Sequence, residues 1–252
     1  MTEWFVPLRP AEEAEEAAAA APPRVRLVGF PHAGGGPASL APLTPLLPPG
    51  IEPWSVNLPG RQARLAEPPR TELGPLVAEL AAALPIAVRS PYALFGYCSG
   101  ALLAYLVCRR LHELDRPAAR LLVGSAAAPD VAAPPRRLHL LPSPLFWERL
   151  VGFGGVPQEL ADRAELRPVL EPALRADFAL QAGYRHVPGP PFGTPITVLH
   201  GTHDSSLTRG GLLGWRRQTR PRPVLREIDA SHWLVEDAPA ELAAAIGEAL
   251  TD

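Results

Sequence analysis

Residues 92–111 read YALFGYCSGALLAYLVCRRL. The opening six residues are a short apolar run suited to a buried strand, and from Ala101 onward apolar residues recur at helical spacing. Between them lies GYCSG, Gly96 to Gly100. A strand that turns directly into a helix brings the two backbones close together, and glycines two before and two after the centre allow that approach. The spacing is that of a G-x-S-x-G nucleophile elbow with sulfur in place of the hydroxyl oxygen. Cys98, at the start of a helix, is exposed to the positive end of the backbone dipole, which favours a thiolate, and a paired histidine would favour it further. A small buried filler in a tight turn is the plainer role for a cysteine, so the assignment depends on what else the chain supplies. Cys108 has no such context and reads as core packing.

Working outward, VRLVGF (25–30) is a buried strand that ends in Pro31 and a glycine-rich turn, and another strand is expected around Glu52 to Asn57. Thr71 to Leu84 has helical spacing. Downstream come RLLVGS (120–125), ITVLHG (196–201), PVLREI (223–228) and a terminal helix AELAAAIGEAL (240–250). This alternation predicts an α/β fold with a mostly parallel, doubly wound sheet covered on both faces. Between Pro129 and Pro191 the strands stop, and proline-rich sequence carries helical fragments near Ser143 to Phe153 and Glu171 to Tyr184. A stretch this long is not a bare loop. It reads as a helical lid inserted at about 130–190, over the strand ends where such folds place their sites. Residues 1–23, with AEEAEEAAAAAPP, lack an apolar stripe and read as a flexible leader, leaving 24–252 as one domain.

Two further residues fall where an elbow nucleophile needs them, in the order nucleophile, acid, histidine that defines the α/β-hydrolase fold. Asp204 follows ITVLHG in the turn GTHD, and His232 follows PVLREI in the turn DASHW. Their roles would be tautomer-fixing carboxylate and general base. Each alone could be a turn-former or a surface residue, but three matches in order and context point to a Cys-His-Asp triad. Asp229 and Asp237 are weaker competitors for the acid. FPHAGGG (30–36) follows the first strong strand, and its amides could face a developing oxyanion together with the amide after the nucleophile. That nominates the Ala33 and Ser99 N–H groups, with His32 as a structural neighbour. The segment lacks the lysine and serine of a P-loop and the G-x-G-x-x-G spacing. His200, His203 and Asp204 lie within five residues, but the two histidines should face different ways and no second cluster completes a metal site, so none is expected.

Composition narrows the remaining classes. The formal net charge is −2, and all 24 basic side chains are arginines interleaved with acids, which leaves no basic stripe for nucleic acid. The start lacks the basic-then-apolar order of a signal peptide, no apolar run reaches membrane-spanning length, and two cysteines ten residues apart suit a reducing cytoplasm.

FPHAGGG, LPGRQARLAEPP (58–69), GYCSGALLAY, SPLFWERLVGFGGVP (143–157), LRADFALQAGYRHVPGPP (174–191), ITVLHGTHD and SHW together resemble the type II thioesterases that accompany modular polyketide and nonribosomal peptide synthases. The likeness covers nearly the whole chain after the leader. It implies hydrolysis of an acyl or peptidyl thioester on the phosphopantetheine arm of an acyl or peptidyl carrier protein, with no cofactor beyond the arm the substrate brings. It implies Cys98, Asp204 and His232 as the triad, and Ala33 with Ser99 as oxyanion donors. The departures are Cys98, where the family ordinarily has serine, Tyr97, where histidine is frequent, and Ser99, where methionine is frequent. A thiol nucleophile leaves room for an acyltransferase or cyclase that delivers the acyl group to an amine, alcohol or thiol, and for a non-catalytic carrier-binding homologue.

Overall fold

A computed structural model describes residues 4–10, 12–13, 23–131 and 137–251. Seven strands form one sheet in the order β1-β3-β2-β4-β5-β6-β7. They are β1 (Phe5–Pro7), β2 (Val25–Phe30), β3 (Ile51–Val56), β4 (Tyr92–Tyr97), β5 (Leu121–Gly124), β6 (Ile196–Gly201) and β7 (Val224–Ile228). Only β1 runs antiparallel to its neighbour; the other pairings are parallel. The helices, numbered in chain order, are α1 (Leu73–Ala87), α2 (Ser99–Glu113), α3 (Ser143–Gly152), α4 (Gln158–Ala161), α5 (Arg167–Gly183), α6 (Arg209–Leu213), α7 (Leu234–Asp237) and α8 (Pro239–Thr251).

Continuous apolar strands are what a sheet buried on both faces requires, because successive side chains point to opposite sides. In β4, Tyr92 and Leu94 join one core with Leu76, Leu80 and Leu84 of α1 and Val107 and Leu111 of α2. Ala93, Phe95 and Tyr97 join the other, with Leu242 and Ile246 of α8. The α/β-hydrolase sheet expected from the strand pattern is therefore present. Cys108 is fully buried in the first core.

Residues 129–191 carry short 3-10 turns and α3, α4 and α5, with no strand among the described residues. Phe146, Trp147, Leu150, Leu174 and Phe178 form an apolar cluster of their own, which Ala33 of the glycine-rich loop joins. The last helix of this segment begins at Arg167, four residues before the expected start. Pro168 sits in its first turn, where a missing N–H costs nothing, and Pro172 is accommodated inside it. No helix of the described residues is long and apolar enough to cross a membrane.

One correction concerns residues 1–23. Phe5 to Pro7, assigned above to a flexible leader, pair with Trp54, Ser55 and Val56 along the sheet edge, and Phe5 is fully buried. Three residues ending in proline are too few to show a period, so burial of Phe5 against Phe30 decides the conformation. The AEEAEEAAAAAPP segment lies largely outside the described residues.

Candidate functional site

The loops at the carboxyl ends of β2, β4, β6 and β7 bring the nominated residues to one end of the sheet. Cys98 lies between β4 and α2 with φ 53 and ψ −118, a conformation that costs a side-chain-bearing residue energy and is held here by its surroundings. Its N–H donates to the carbonyl of Gly124 at 2.9 Å. The flanking glycines are there for space: a Cβ on Gly100 would lie 2.1 Å from the Phe30 carbonyl oxygen, and one on Gly96 would lie 2.5 Å from Cα of Ala101. No side chain fits at either position, so strand and helix meet backbone to backbone.

His232 follows β7 and is a neighbour of both other members. Its Nδ1 is 2.8 Å from Oδ2 of Asp204, whose side chain is almost wholly buried, and its ring is near enough to the Cys98 sulfur for the two to interact electrostatically. With Nδ1 engaged by the carboxylate, Nε2 is the nitrogen left for sulfur. The competing acids are occupied elsewhere. Asp229 is exposed and bonds His203 at 2.9 Å, while Asp237 accepts the Ser231 N–H at 2.9 Å and shapes the turn that carries His232. The three HGTHD side chains diverge: His203 to Asp229, His200 toward Glu227 and Asp204 to His232.

Several residues that hold the site were not nominated from sequence. Ser206 donates to Oδ1 of Asp204 through both its N–H (2.9 Å) and its hydroxyl (2.5 Å), fixing the carboxylate's plane. The Ser125 hydroxyl donates to the His232 carbonyl at 2.8 Å. The buried Tyr97 hydroxyl donates to Glu236 Oε2 at 3.0 Å and lies 3.2 Å from the same carbonyl. Burial raises the pKa of both Tyr97 and Glu236. Ser206 stands in no motif, but D-x-S, Asp204 to Ser206, is an Asx-type turn that could have suggested it.

Electrostatics favour a charged imidazole. Burial disfavours the imidazolium of His232, but the hydrogen bond to Asp204 and the hydrogen bond and charge interaction with Cys98 outweigh it, raising the pKa to about 10. Asp204 is held below the usual carboxylate range: burial opposes the anion, and the bonds from His232 and Ser206 overcome that. His32 goes the other way, with burial lowering its pKa, and its ring packs edge-on to Trp233 at 5.3 Å. A titration follows. Removing the sulfur in Cys98→Ala deletes two contributions that stabilise imidazolium and leaves burial in place, so His232 should deprotonate at lower pH than in the parent. Nuclear magnetic resonance of the labelled imidazole reads this directly, and an unchanged titration would separate His232 from Cys98.

The two nominated amides belong to neighbouring segments, the turns after β2 and β4, which are paired strands. Ser99 is the first residue of α2, where a helix leaves its N–H groups without intrahelical acceptors. Ala33 is buried in the loop after β2, next to Gly34 in the left-handed region at φ 74. Beside Ser99 and Gly100 opens a cleft of about 440 Å³, counting its solvent-open part, with Val56, Leu58, Leu73 and Leu103 among its walls.

A thioesterase-domain family model matches residues 25–250. The gramicidin S biosynthesis protein GrsT of Aneurinibacillus migulanus is 30% identical over 220 residues, which are 87% of this chain and 86% of GrsT. The type II thioesterase BorB from the borrelidin biosynthetic cluster superposes with a TM-score of 0.85 at 29% identity, over 99% of this chain and 100% of BorB. RedJ, the thioesterase of the prodiginine pathway in Streptomyces coelicolor, does so with a TM-score of 0.81 at 31% identity, over 91% and 86% of the two chains. With an elbow, a histidine and a carboxylate converging at the strand ends and a family match across nearly all of the domain, the chain belongs to the thioesterase family.

Proposed function

We propose that this protein cleaves acyl or peptidyl thioesters presented on the phosphopantetheine arm of a carrier protein in polyketide or nonribosomal peptide biosynthesis, through a covalent acyl group on Cys98. The observation that carries this reading is the His232–Asp204 pair at 2.8 Å beside a cysteine held at φ 53 in the strand-to-helix elbow. The nucleophile enters as the thiolate, as cysteine chemistry requires, and the His232 imidazolium, favoured to about 10, supplies the proton that the leaving group takes. The Cys98 sulfur then attacks the acyl carbonyl, the Ala33 and Ser99 amides hold the oxyanion, and the carrier's C–S bond breaks as His232 gives its proton to the departing thiolate.

Acylation removes the sulfur's charge, and with it part of what held the imidazolium. His232 is then free to act as a base: it takes a proton from water, the hydroxyl oxygen attacks the Cys98 acyl carbonyl, the carbon–sulfur bond breaks, and the acid leaves with the Cys98 thiolate and the His232 imidazolium regenerated. Asp204 stays ionised throughout and orients the ring. Both cysteines are free, which fits a reducing cytoplasm.

The sulfur itself favours a second reading. Exchange of one thioester for another is close to thermoneutral, so an acyl group on Cys98 stays as activated as it was on the carrier. Transfer to an amine, alcohol or thiol then competes with hydrolysis. The test is intact-mass analysis after mixing with acyl carrier proteins: an acyl adduct mapping to Cys98 is expected, and the small acceptor that discharges it distinguishes transferase from hydrolase. A non-catalytic carrier-binding homologue would leave Cys98 unlabelled.

A further inference from the structure

A buried polar cluster outside the triad joins three distant parts of the chain. Arg61, from the LPGR turn after β3, and Asp177, on the lid helix α5, form a buried two-pronged ion pair with Nη1–Oδ2 at 2.7 Å and Nη2–Oδ1 at 2.9 Å. Both ends also grip the glycine-rich loop. Asp177 Oδ2 accepts the Gly34 N–H at 2.7 Å, and Arg61 Nη1 donates to the Gly35 carbonyl at 3.1 Å. Leu174, one turn before Asp177, packs so closely on Gly34 that a Cβ there would lie 2.7 Å from its methyl group.

We propose that Asp177, supported by Arg61, is a positioning residue that sets the oxyanion loop from the lid, so that the Ala33 amide points at the reacting carbonyl only while α5 is docked. This deepens the proposed thioester chemistry and rests on it. Ala33 immediately precedes the clamped N–H; the carbonyl of the same peptide lies 3.0 Å from His32 Nδ1, and Asp177 is the side chain that accepts the Gly34 N–H, in a loop with Gly34 at φ 74. An oxyanion donor works because it is already oriented when charge develops, and loss of one such donor costs on the order of 10²- to 10³-fold in rate. Neutralising Asp177 alone would strand a buried guanidinium, whereas replacing both partners by apolar groups avoids that penalty. The informative pair is therefore Arg61→Met with Asp177→Leu, which leaves Gly34 without an acceptor, and Arg61→Met with Asp177→Asn, which restores a neutral one.

Two rates separate positioning from general damage. Acylation of Cys98 by a carrier-bound thioester builds an oxyanion; alkylation of Cys98 by iodoacetamide does not. The Met/Leu variant should acylate roughly 10²-fold more slowly while its alkylation rate stays at the parent value, and the Met/Asn variant should recover most of the loss. Parental acylation in the Met/Leu variant, or alkylation falling in proportion, overturns the proposal. Should the Met/Leu variant fail to fold by circular dichroism, Arg61→Met with Asp177→Ala, which likewise leaves Gly34 without a side-chain acceptor, is read by the same ratio of rates. Cys98→Ala serves as the control: if it turns over substrate, the underlying chemistry is wrong, whereas an inactive Cys98→Ala with unaffected Asp177 variants removes only this inference.

Discussion

Cys98→Ala is expected to lower turnover of carrier-bound acyl thioesters by on the order of 10⁴-fold, measured as release of the carrier thiol. The residual rate would come from binding and the oxyanion amides acting on water. The size follows from the geometry. The strained φ of 53 and two glycines with no space for a side chain exist to hold one atom at the sheet end, and alanine removes that atom while keeping the backbone. Circular dichroism should be unchanged. Cys98→Ser is the informative companion: an oxygen ester lies lower in energy than a thioester, so the serine enzyme should discharge to water in preference to other acceptors. Parental turnover by Cys98→Ala would falsify the nucleophile assignment.

The second large effect is expected from Asp204→Asn, a loss on the order of 10³- to 10⁴-fold in kcat with little change in binding. Ser206 donates two hydrogen bonds to Oδ1, so an asparagine here keeps its oxygen toward Ser206 and turns its NH₂ toward His232 Nδ1. That amide can bond Nδ1 only when the nitrogen is unprotonated, which places the ring proton on Nε2 and takes away the nitrogen that must accept from water. The same change removes the carboxylate that helps hold the imidazolium to about 10, so the His232 titration should move down as well. If Asp204→Asn retained its rate and its imidazole titration, the carboxylate would have no part in the chemistry.

The elbow at Cys98 and the pairing of His232 with Asp204 were legible in the sequence because each signal is local. A strand, a turn and the chemistry of one residue lie within a few positions, and the order along the chain supplies the rest. The sheet was legible for the same reason, since β4 alternates its contacts between two apolar cores. What holds the site was not. Ser125 reaches the His232 carbonyl across 107 positions, and Arg61 meets Asp177 across 116. Arg61 and Asp177 each lie in a quoted motif, but no period or local spacing says that they meet; such pairs exist only once the sheet has brought the loops together. The ten-residue 3-10 helix Pro37–Leu46, with Pro42 and Pro45 inside it, escaped for a different reason. Proline signals a break in the chain, yet its fixed φ also suits this tighter turn once Leu40 and Leu43 are buried against the sheet.

The short first strand bears on how the protein should be produced. A gene trimmed to the 25–250 span recognised by the family model would discard Phe5, which fills space beside Phe30, and the three residues that zip onto β3. Ile51 to Val56 would then end the sheet with a row of unsatisfied backbone donors and acceptors, the surface on which a second molecule can dock its own strand. Shortened protein should therefore precipitate or form edge-to-edge multimers even with every catalytic side chain intact.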